Sequence, residues 1–438
     1  MEQLLAEQST KIRITLQEWQ SVGPDERPVL GGFSFKDPFA RITSAQLSKA
    51  EKIELLEFPA GLTIRAKQFV GNVQLENLQI SISPKITGLP LLNLLRYAYN
   101  LRQLDFFEPL DFGTETAQFQ DLLIQQLVVE VSELLQRGLN RKYRRIDEDL
   151  QSPKGRINFS TIARRGGLNE ASLPCYHSLR IEDNLLNRIL LAGLSFSTLI
   201  TNDLILRSHL RQSARILSQS VTQVELTPQL FIKAKATLDR LTVSYRPALT
   251  IIQILLESQG VSIESTNQFV RLPGFLFDMN RFFQALIEHY LADNLEGYTI
   301  KAEYQLRDMI SYDPFHNPQK KRSPTPRPDF AIMDGKKVKA LLDTKYRDLW
   351  ENDLPRDMLY QLALYAFSQD RPGQSTIIYP TLHSEAKESW LDITHPLSSH
   401  KLATIKLRPL NLYKLEEMIN NESARNRKNF AHEIVFGE

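Results

Sequence analysis

The sequence predicts a multidomain α+β protein with a β-rich N-terminal domain (residues 1–114), an α-helical middle region (115–265) and a C-terminal α/β domain built on a central mixed sheet (266–438). The chain has 438 residues, which is enough for several domains at roughly 150 residues each. Apolar residues recur with a period of two near the N-terminus and with a helical period in the middle. Helix-like and strand-like segments then alternate through the last third of the chain.

The N-terminal prediction depends on two alternating segments. Residues 62–66 (LTIRA) and 78–82 (LQISI) each carry an apolar residue at every second position, so each strand buries one face. Glu76 and Asn77 lie between these segments and are residue types that favour turns. We therefore expect neighbouring strands in this domain.

The middle region shows a helical period instead. From residue 115 to 137 the apolar residues form a stripe with a period near 3.6, and Gly138 follows as a helix end. Residues 182–218 and 247–258 have the same character. We therefore predict an α-helical block.

The C-terminal third alternates between the two patterns. We predict helices over residues 280–295 and 353–368, and strands over residues 299–311, 329–333, 338–346, 375–379 and 403–407. This order is typical of an α/β domain.

Composition limits how the chain can bind its partners. Apolar residues make up 42% and charged residues 24%, which is typical of a globular protein. The 53 lysines and arginines nearly balance 51 acids, for a net charge of +2. Bulk attraction therefore cannot hold a polyanion, and we expect nucleic acid to be bound by local patches or through a partner.

Several kinds of site are excluded by what the sequence lacks. The single cysteine, Cys175, excludes a disulfide framework and fits a reducing compartment. Because no glycine-rich phosphate loop is present, we expect this chain to bind no nucleotide. The N-terminus lacks a signal-peptide pattern, and the longest apolar stretch, residues 189–200, is too short to span a bilayer. We expect a cytoplasmic protein with no membrane partner.

Two carboxylates and a lysine lie close together in the stretch RPDFAIMDGKKVKALLDTKYRDL. Asp329 begins one predicted strand, and Asp343 and Lys345 lie near the end of the next. Because alternate residues of a strand share a face, Asp343 and Lys345 point to the same side. A loop of three or five residues centred on Lys336 places Asp329 opposite Asp343, whereas a two-residue turn at 334–335 offsets them by three residues. We therefore predict the longer loop.

These residue types suit metal-dependent phosphodiester cleavage. Asp329 and Asp343 offer the hard oxygen ligands that Mg²⁺, or alternatively Mn²⁺, prefers. The ion would neutralise the scissile phosphate and lower the pKa of a bound water. Lys345 would orient that water or stabilise the developing charge. The pattern alone also arises by chance, but strand-like segments flank both acids, and the following helix carries Gln361 and Tyr365 on one face.

A basic, proline-rich segment precedes Asp329. Its cations are Lys320, Lys321, Arg322 and Arg327. One interpretation is a solvated loop, and the other is a set of contacts to DNA phosphates beside the carboxylates. The sequence leaves both interpretations open.

The motifs together resemble the McrC family, the nuclease subunit of modified-cytosine restriction systems. The matching text is PDF at 328–330, LLDTKYR at 341–347 and QLALY at 361–365, with FLFDMNRFF at 275–283, GRI at 155–157 and VGNVQLENLQISISPKI near the N-terminus. The resemblance spans most of the chain, and the combination is far more specific than any single motif.

The resemblance implies a C-terminal endonuclease domain of the PD-(D/E)xK superfamily. By this comparison Asp329 and Asp343 would be the metal ligands, Lys345 the catalytic lysine, and Gln361 and Tyr365 accessory residues. It also implies a partner, because McrC-like subunits dock through their N-terminal part on a hexameric AAA+ GTPase or ATPase of the McrB type and stimulate its hydrolysis. The motor would read modified double-stranded DNA, such as DNA with 5-methylcytosine, and this chain would cut it in antiviral defence.

One position departs from the family pattern. Where the family carries a helical glutamate that contributes to the metal site, this chain has Gln284. The glutamine carbonyl can bind an ion or a metal-bound water without adding charge, and Glu288, one turn later, can substitute. Two alternatives to the nuclease hypothesis therefore stay open: a catalytically weakened assembly factor that activates the NTPase, and a RecB-like DNA-processing nuclease without an McrB-type partner.

Overall fold

The structure is a computed structural model that describes residues 11–101, 119–167, 171–201, 203–263, 268–271, 274–370 and 372–437. The predicted domain boundaries after residues 114 and 265 lie outside the described residues. The chain forms two compact units, one made of Met1–Leu101 with Ser258–Glu438 and the other of Arg102–Glu257. The first unit is therefore assembled from two separate stretches of sequence.

The N-terminal stretch of the first unit is rich in strands, as predicted. Its elements are β1 (Ile12–Gln17), β2 (Ser21–Val22), α1 (Pro38–Lys49), β3 (Ile53–Phe58), β4 (Gly61–Ala66), β5 (Phe69–Leu75), β6 (Leu78–Ser83) and α2 (Gly88–Tyr99). The alternating residues of β4 and β6 are buried on one face, and Glu76 and Asn77 form the turn between β5 and β6. We call residues 11–101 the N-terminal lobe.

The second unit combines helices with a small sheet. Its elements are α3 (Phe119–Arg137), β7 (Lys142–Leu150), β8 (Arg156–Ile157), α4 (Phe159–Arg164), β9 (Leu173–Ile181), α5 (Leu185–Ile200), α6 (Leu204–Ser218), α7 (Pro228–Thr237) and α8 (Arg246–Ser258). The predicted helices are present, but an all-helical middle region is a wrong prediction, because β7, β9 and β8 form an antiparallel sheet. Most side chains of β7 are exposed, so that strand lacks the apolar alternation by which strands are recognised in a sequence.

The C-terminal stretch of the first unit carries the larger sheet. Its elements are β10 (Gly260–Ile263), β11 (Gln268–Arg271), β12 (Gly274–Asp278), α9 (Met279–Asn294), β13 (Thr299–Ala302), β14 (Phe330–Asp334), β15 (Lys337–Thr344), α10 (Arg356–Phe367), β16 (Gly373–Thr381), β17 (Ser389–Thr394), β18 (Lys401–Asn411), α11 (Leu412–Asn420) and α12 (Ala424–Phe436). Among the described residues the order β13-β14-β15-β16-β18-β17 forms a six-stranded sheet. Parallel and antiparallel pairs both occur, as the prediction of a mixed sheet required.

Strand β12 joins the two stretches of the first unit. It pairs with β5 and extends the sheet of order β1-β6-β5-β12. Gly71 of β5 has a φ of +134°, and a Cβ atom there would lie 2.1 Å from the carbonyl oxygen of Phe275. Only glycine allows so close an approach of the two backbones.

The hairpin of β14 and β15 reaches the predicted register by an unpredicted route. Its loop is a two-residue turn at residues 335–336, so the longer loop is a wrong prediction. A register shift between Ile332 and Met333 leaves Lys339 as an extra residue on β15, which is a β-bulge. The bulge restores the predicted pairing of Phe330 with Leu342, and Asp329 and Asp343 are the next residues of the two chain segments. No described helix is both long and apolar enough to cross a membrane.

Candidate active site

The end of β15 carries a buried acid. Asp343 is only 2% exposed, and its Oδ2 atom lies 2.9 Å from Nζ of Lys345. Its Oδ1 atom is also buried and has no hydrogen-bond partner among the described residues. Burial and the charge of Asp329 together raise the pKa of Asp343 to about 6, although Lys345 opposes the rise. A buried carboxylate oxygen without a donor is suited to binding a cation.

Lys345 is held by the sheet through its backbone. Its N–H donates to the carbonyl of Ile378 at 3.1 Å, which continues the pairing of β15 with β16 beyond the last strand residue. Burial acts to lower the pKa of Lys345, but the charges of Asp343 and Asp329 outweigh it and the pKa is raised. The ammonium group is therefore charged at neutral pH and faces the acids.

Asp329 is fixed by a residue that the sequence interpretation missed. The backbone N–H and the hydroxyl of Thr344 both donate to Oδ2 of Asp329, each at 2.7 Å. The strand alternation assigns Thr344 no role, because its side chain points away from those of Asp343 and Lys345 along the strand. Its hydroxyl was the available signal, since a buried hydroxyl needs a partner. We call Asp329, Asp343 and Lys345 the acid–lysine cluster.

Helix α10 packs behind this cluster. Tyr365 belongs to a buried apolar group with Leu341 and Leu362. Gln361 donates from Nε2 to the hydroxyl of Tyr365 at 2.6 Å, so the two residues share a helical face. Burial raises the pKa of Tyr365, and the charge of Asp343 adds to the rise. This places the tyrosine within electrostatic reach of the cluster.

Helix α9 contributes a different residue from the one expected. Asn280, at its start, accepts a hydrogen bond through Oδ1 from the N–H of Tyr346 at 2.8 Å. Gln284 is half-buried one turn later, and Glu288 is exposed. Neither forms a hydrogen bond or ion pair with the acid–lysine cluster among the described residues. The pKa of Glu288 is raised by burial and by the charge of Glu303, without a contribution from the cluster acids.

The basic segment forms an exposed loop that leads into Asp329. Lys320, Lys321 and Arg322 are exposed and form no ion pair within the described part of the chain. Arg327 differs, because its Nη1 atom lies 3.6 Å from a carboxylate oxygen of Glu303. Three of the four predicted phosphate contacts therefore present unneutralised charge in the segment that precedes Asp329.

A second group with metal-ligand chemistry was not predicted. Ligand atoms of Asp348, Glu351 and His383 lie within 4.8 Å of one another. These atoms already have partners, because Glu351 contacts both His383 at 2.8 Å and Lys85 at 2.6 Å, and Asp348 accepts from Thr381 at 2.9 Å. The ammonium of Lys85 opposes a second cation there. The acid–lysine cluster, with its unpartnered Oδ1 atom, is the better-suited metal site.

Comparison with known families decides the relationship. The family model for the McrBC 5-methylcytosine restriction system component matches residues 64–380, which is more than half of the chain. The chain belongs to this McrBC family. The match includes all three residues of the acid–lysine cluster and residues 64–101 of the N-terminal lobe. Among curated proteins, none matches this McrBC-family chain.

One solved structure shares the fold, and a second is similar over part of the chain. A chain of a structure described as the refined half-complex from a tetradecameric assembly of Thermococcus gammatolerans McrB AAA+ hexamers with bound McrC is 20% identical. The match covers 95% of this chain and 98% of that one, with a TM-score of 0.58. A chain of the cryo-EM structure of the Thermococcus gammatolerans McrBC complex is 19% identical over 69% of this chain and 90% of that one, with a TM-score of 0.44.

Proposed function

We propose that this McrBC-family chain is the nuclease component of a modification-dependent restriction system and hydrolyses phosphodiester bonds of DNA with Mg²⁺. The observation that carries the proposal is the acid–lysine cluster, in which a buried Oδ1 atom of Asp343 lacks a donor while Oδ2 is paired with Lys345. Asp343 and the neighbouring Asp329 would hold the ion. Once bound, Mg²⁺ would supply charge neutralisation for the phosphate and lower the pKa of a water.

The protein side chains would perform the remaining tasks. Thr344 holds one oxygen of Asp329 through two hydrogen bonds, which orients the carboxylate. Lys345 is positively charged and lies against Asp343, so it can stabilise negative charge that develops on the phosphate. Gln361 and Tyr365 support the site from α10 as accessory residues. The nearly dry setting of Asp343 strengthens each of these interactions.

The test compares cluster variants with matched controls on the same hairpin. Asp343→Ala and Lys345→Ala should each lower DNA cleavage by about 10²-fold or more, because each removes a group that acts on the reacting phosphate. The controls Asp334→Ala and Lys339→Ala remove an exposed ion pair of 3.2 Å at the far end of the hairpin and should retain cleavage. Cleavage that survives in both cluster variants would sink the proposal.

We also propose that the chain works with an McrB-type AAA+ NTPase hexamer, docks on it through the N-terminal lobe and stimulates its hydrolysis. The support is family membership and the shared fold with a structure whose description names McrB hexamers with bound McrC. Co-purification with an NTPase encoded by an adjacent gene tests this directly. Nucleotide-dependent cleavage of methylated and unmethylated DNA by the purified complex is then measured. Absence of any complex, or an unchanged NTPase rate, would contradict it.

The exposed cations before Asp329 are proposed to contact DNA phosphates. Replacing Lys320, Lys321 and Arg322 together by alanine should weaken DNA binding by the assembled complex. It should also make the slope of log Kd against log salt shallower by about 3 at most, since each phosphate contact contributes roughly 0.9. Lys387→Ala, another exposed lysine without an ion pair among the described residues, is the control and should leave the slope unchanged. An unaltered slope in the triple variant would identify a solvated loop.

Gln284 supports a second candidate function, an NTPase activator with a weakened nuclease site. The cluster has two carboxylates, and no third acid contacts it among the described residues. The two candidates differ in metal binding, which calorimetry with Mg²⁺ or Mn²⁺ measures without any cleavage. The nuclease is favoured if the natural chain binds the ion, Asp329→Ala abolishes this binding and Gln284→Glu strengthens it. Absence of binding in the natural chain and in Gln284→Glu favours the activator.

A further inference from the structure

The residue that follows Lys345 is held by side chains from distant parts of the chain. Tyr346 is 3% exposed and lies just beyond the end of β15. Its N–H donates to Asn280, its carbonyl accepts from the indole N–H of Trp19 at 2.8 Å, and its hydroxyl donates to Glu18 at 3.1 Å. Trp19 and Glu18 belong to the N-terminal lobe, more than 300 residues away in the sequence.

Trp19 adopts an unusual backbone conformation to make this contact. It lies in the turn between β1 and β2 with a φ of +65°, a left-handed conformation that bulky side chains rarely occupy. Arg347 is the residue after Tyr346, and its guanidinium lies 5.4 Å from the centre of the Trp19 indole ring. Strained conformations persist where the surrounding structure holds them, and they cluster at functional positions. The strain at Trp19 therefore marks the contact with Tyr346 as more than incidental packing.

Glu18 is a buried acid that accepts one hydrogen bond from the N-terminal lobe and another from Tyr346. It is 2% exposed, and its Oε1 atom accepts from the N–H of Lys85 at 2.8 Å as well as from Tyr346. Burial raises its pKa to about 7, although both hydrogen bonds oppose the rise. An acid in this setting fixes the tyrosine hydroxyl to the backbone of the N-terminal lobe.

We propose that Trp19 and Glu18 are positioning residues for the nuclease centre, which act through Tyr346 to hold Lys345 against Asp343. This role rests on the proposed nuclease function. Strand pairing fixes the backbone of Lys345 at Ile378, but Tyr346 has its N–H and carbonyl bonded to side chains instead of to a strand. The position of the lysine ammonium therefore depends on the N-terminal lobe.

The contact between the N-terminal lobe and Tyr346 also allows regulation. A displacement of about 1 Å at a catalytic group can cost up to 10²-fold in rate. A partner that binds the N-terminal lobe and shifts Trp19 would therefore change cleavage without touching DNA or the acid–lysine cluster. The partner class is the one proposed above, an NTPase that docks on this lobe.

The test uses Trp19→Phe, which keeps an aromatic ring but removes the N–H that donates to Tyr346. The natural chain and the variant are assembled with the NTPase and compared in single-turnover DNA cleavage. We expect the rate constant to fall about 10-fold while the reaction amplitude, the half-saturating DNA concentration and the NTPase stimulation stay unchanged. The control Arg65→Ala removes a 3.6 Å ion pair with Glu54 elsewhere in the N-terminal lobe and should cleave at the natural rate.

The rate constant and the reaction amplitude distinguish a loss of positioning from a loss of folding. If Trp19→Phe only folds less well, the reaction amplitude and the NTPase stimulation fall while the rate constant stays unchanged. That result would overturn the proposal, and a fully unchanged cleavage reaction would overturn it too. Tyr346→Phe removes the hydroxyl that donates to Glu18 and tests the same contact with the N-terminal lobe. This variant should also lower the rate constant of cleavage. If Asp343→Ala and Lys345→Ala both leave cleavage intact in the natural background, the proposed nuclease function fails. If Lys345→Ala abolishes cleavage and Trp19→Phe has no effect, only the positioning role fails.

Discussion

The substitution Glu18→Gln should stabilise the protein at neutral and alkaline pH. Glu18 is almost fully buried, and its pKa is about 7 in the fold against an ordinary value of 4.5. The folded state therefore holds the proton more strongly than the unfolded state. Stability from this group is fully present below pH 4.5 and is lost as the pH rises to 7. At 1.36 kcal/mol per pKa unit, the loss is about 1 kcal/mol at pH 5 and about 3 kcal/mol at pH 8.

Glutamine removes this loss because it is neutral at every pH. Its side-chain oxygen can still accept from the N–H of Lys85 and from the hydroxyl of Tyr346, as Oε1 of Glu18 does. Urea unfolding followed by circular dichroism at pH 5 and pH 8 gives the free energy of unfolding for both proteins. The advantage of the variant should grow by about 2 kcal/mol between these pH values. An advantage that stays constant or shrinks with pH would refute the reasoning.

Three further changes test other parts of the structure. The pKa of Asp343 is about 6, and a metal ligand must be deprotonated. The affinity for Mn²⁺, measured by calorimetry, should therefore fall about 10-fold per pH unit below pH 6. An affinity that stays constant with pH would exclude Asp343 as a ligand. Gly71→Ala should lower the melting temperature sharply or prevent folding, since the new methyl group meets the carbonyl oxygen of Phe275 at 2.1 Å; an unchanged melting temperature would contradict the pairing of β5 with β12. Tyr365→Phe should cost about 1 kcal/mol of unfolding free energy through the lost bond to Gln361, whereas Tyr360→Phe, which alters an exposed tyrosine of the same helix, should cost nothing measurable.

Local pattern was sufficient to predict elements whose environment is regular. The alternation in β4 and β6 corresponds to burial by one face, which periodicity reports directly. The apolar stripe also predicted α3, although that helix is buried all round from Gln120 to Val128. The register that pairs Phe330 with Leu342, next to Asp329 and Asp343, was also predicted, although the loop was not. A bulge at Lys339 compensates for the short turn, and bulges leave little trace in a single sequence.

The parts that could not be predicted depend on contacts between distant residues. Strand β7 carries mostly polar side chains, so an apolar period in the sequence does not predict its pairing with β9. Thr344 was adjacent to the predicted residues, and its role follows from a hydrogen bond that only the bent chain at Asp329 allows. Trp19 and Tyr346 are separated by 327 residues, and no local rule brings them together.

The pairing of β5 with β12 has a consequence for synthesis of the chain on the ribosome. β5 leaves the ribosome about 200 residues before its partner strand, because the whole second unit lies between them in the sequence. At roughly 5–20 residues per second, this delay is on the order of 10–40 s. During that time one edge of β5 stays unpaired, which is the condition under which nascent sheets associate wrongly. The acid–lysine cluster is translated later still, so a chain that is released early cannot have a complete cluster.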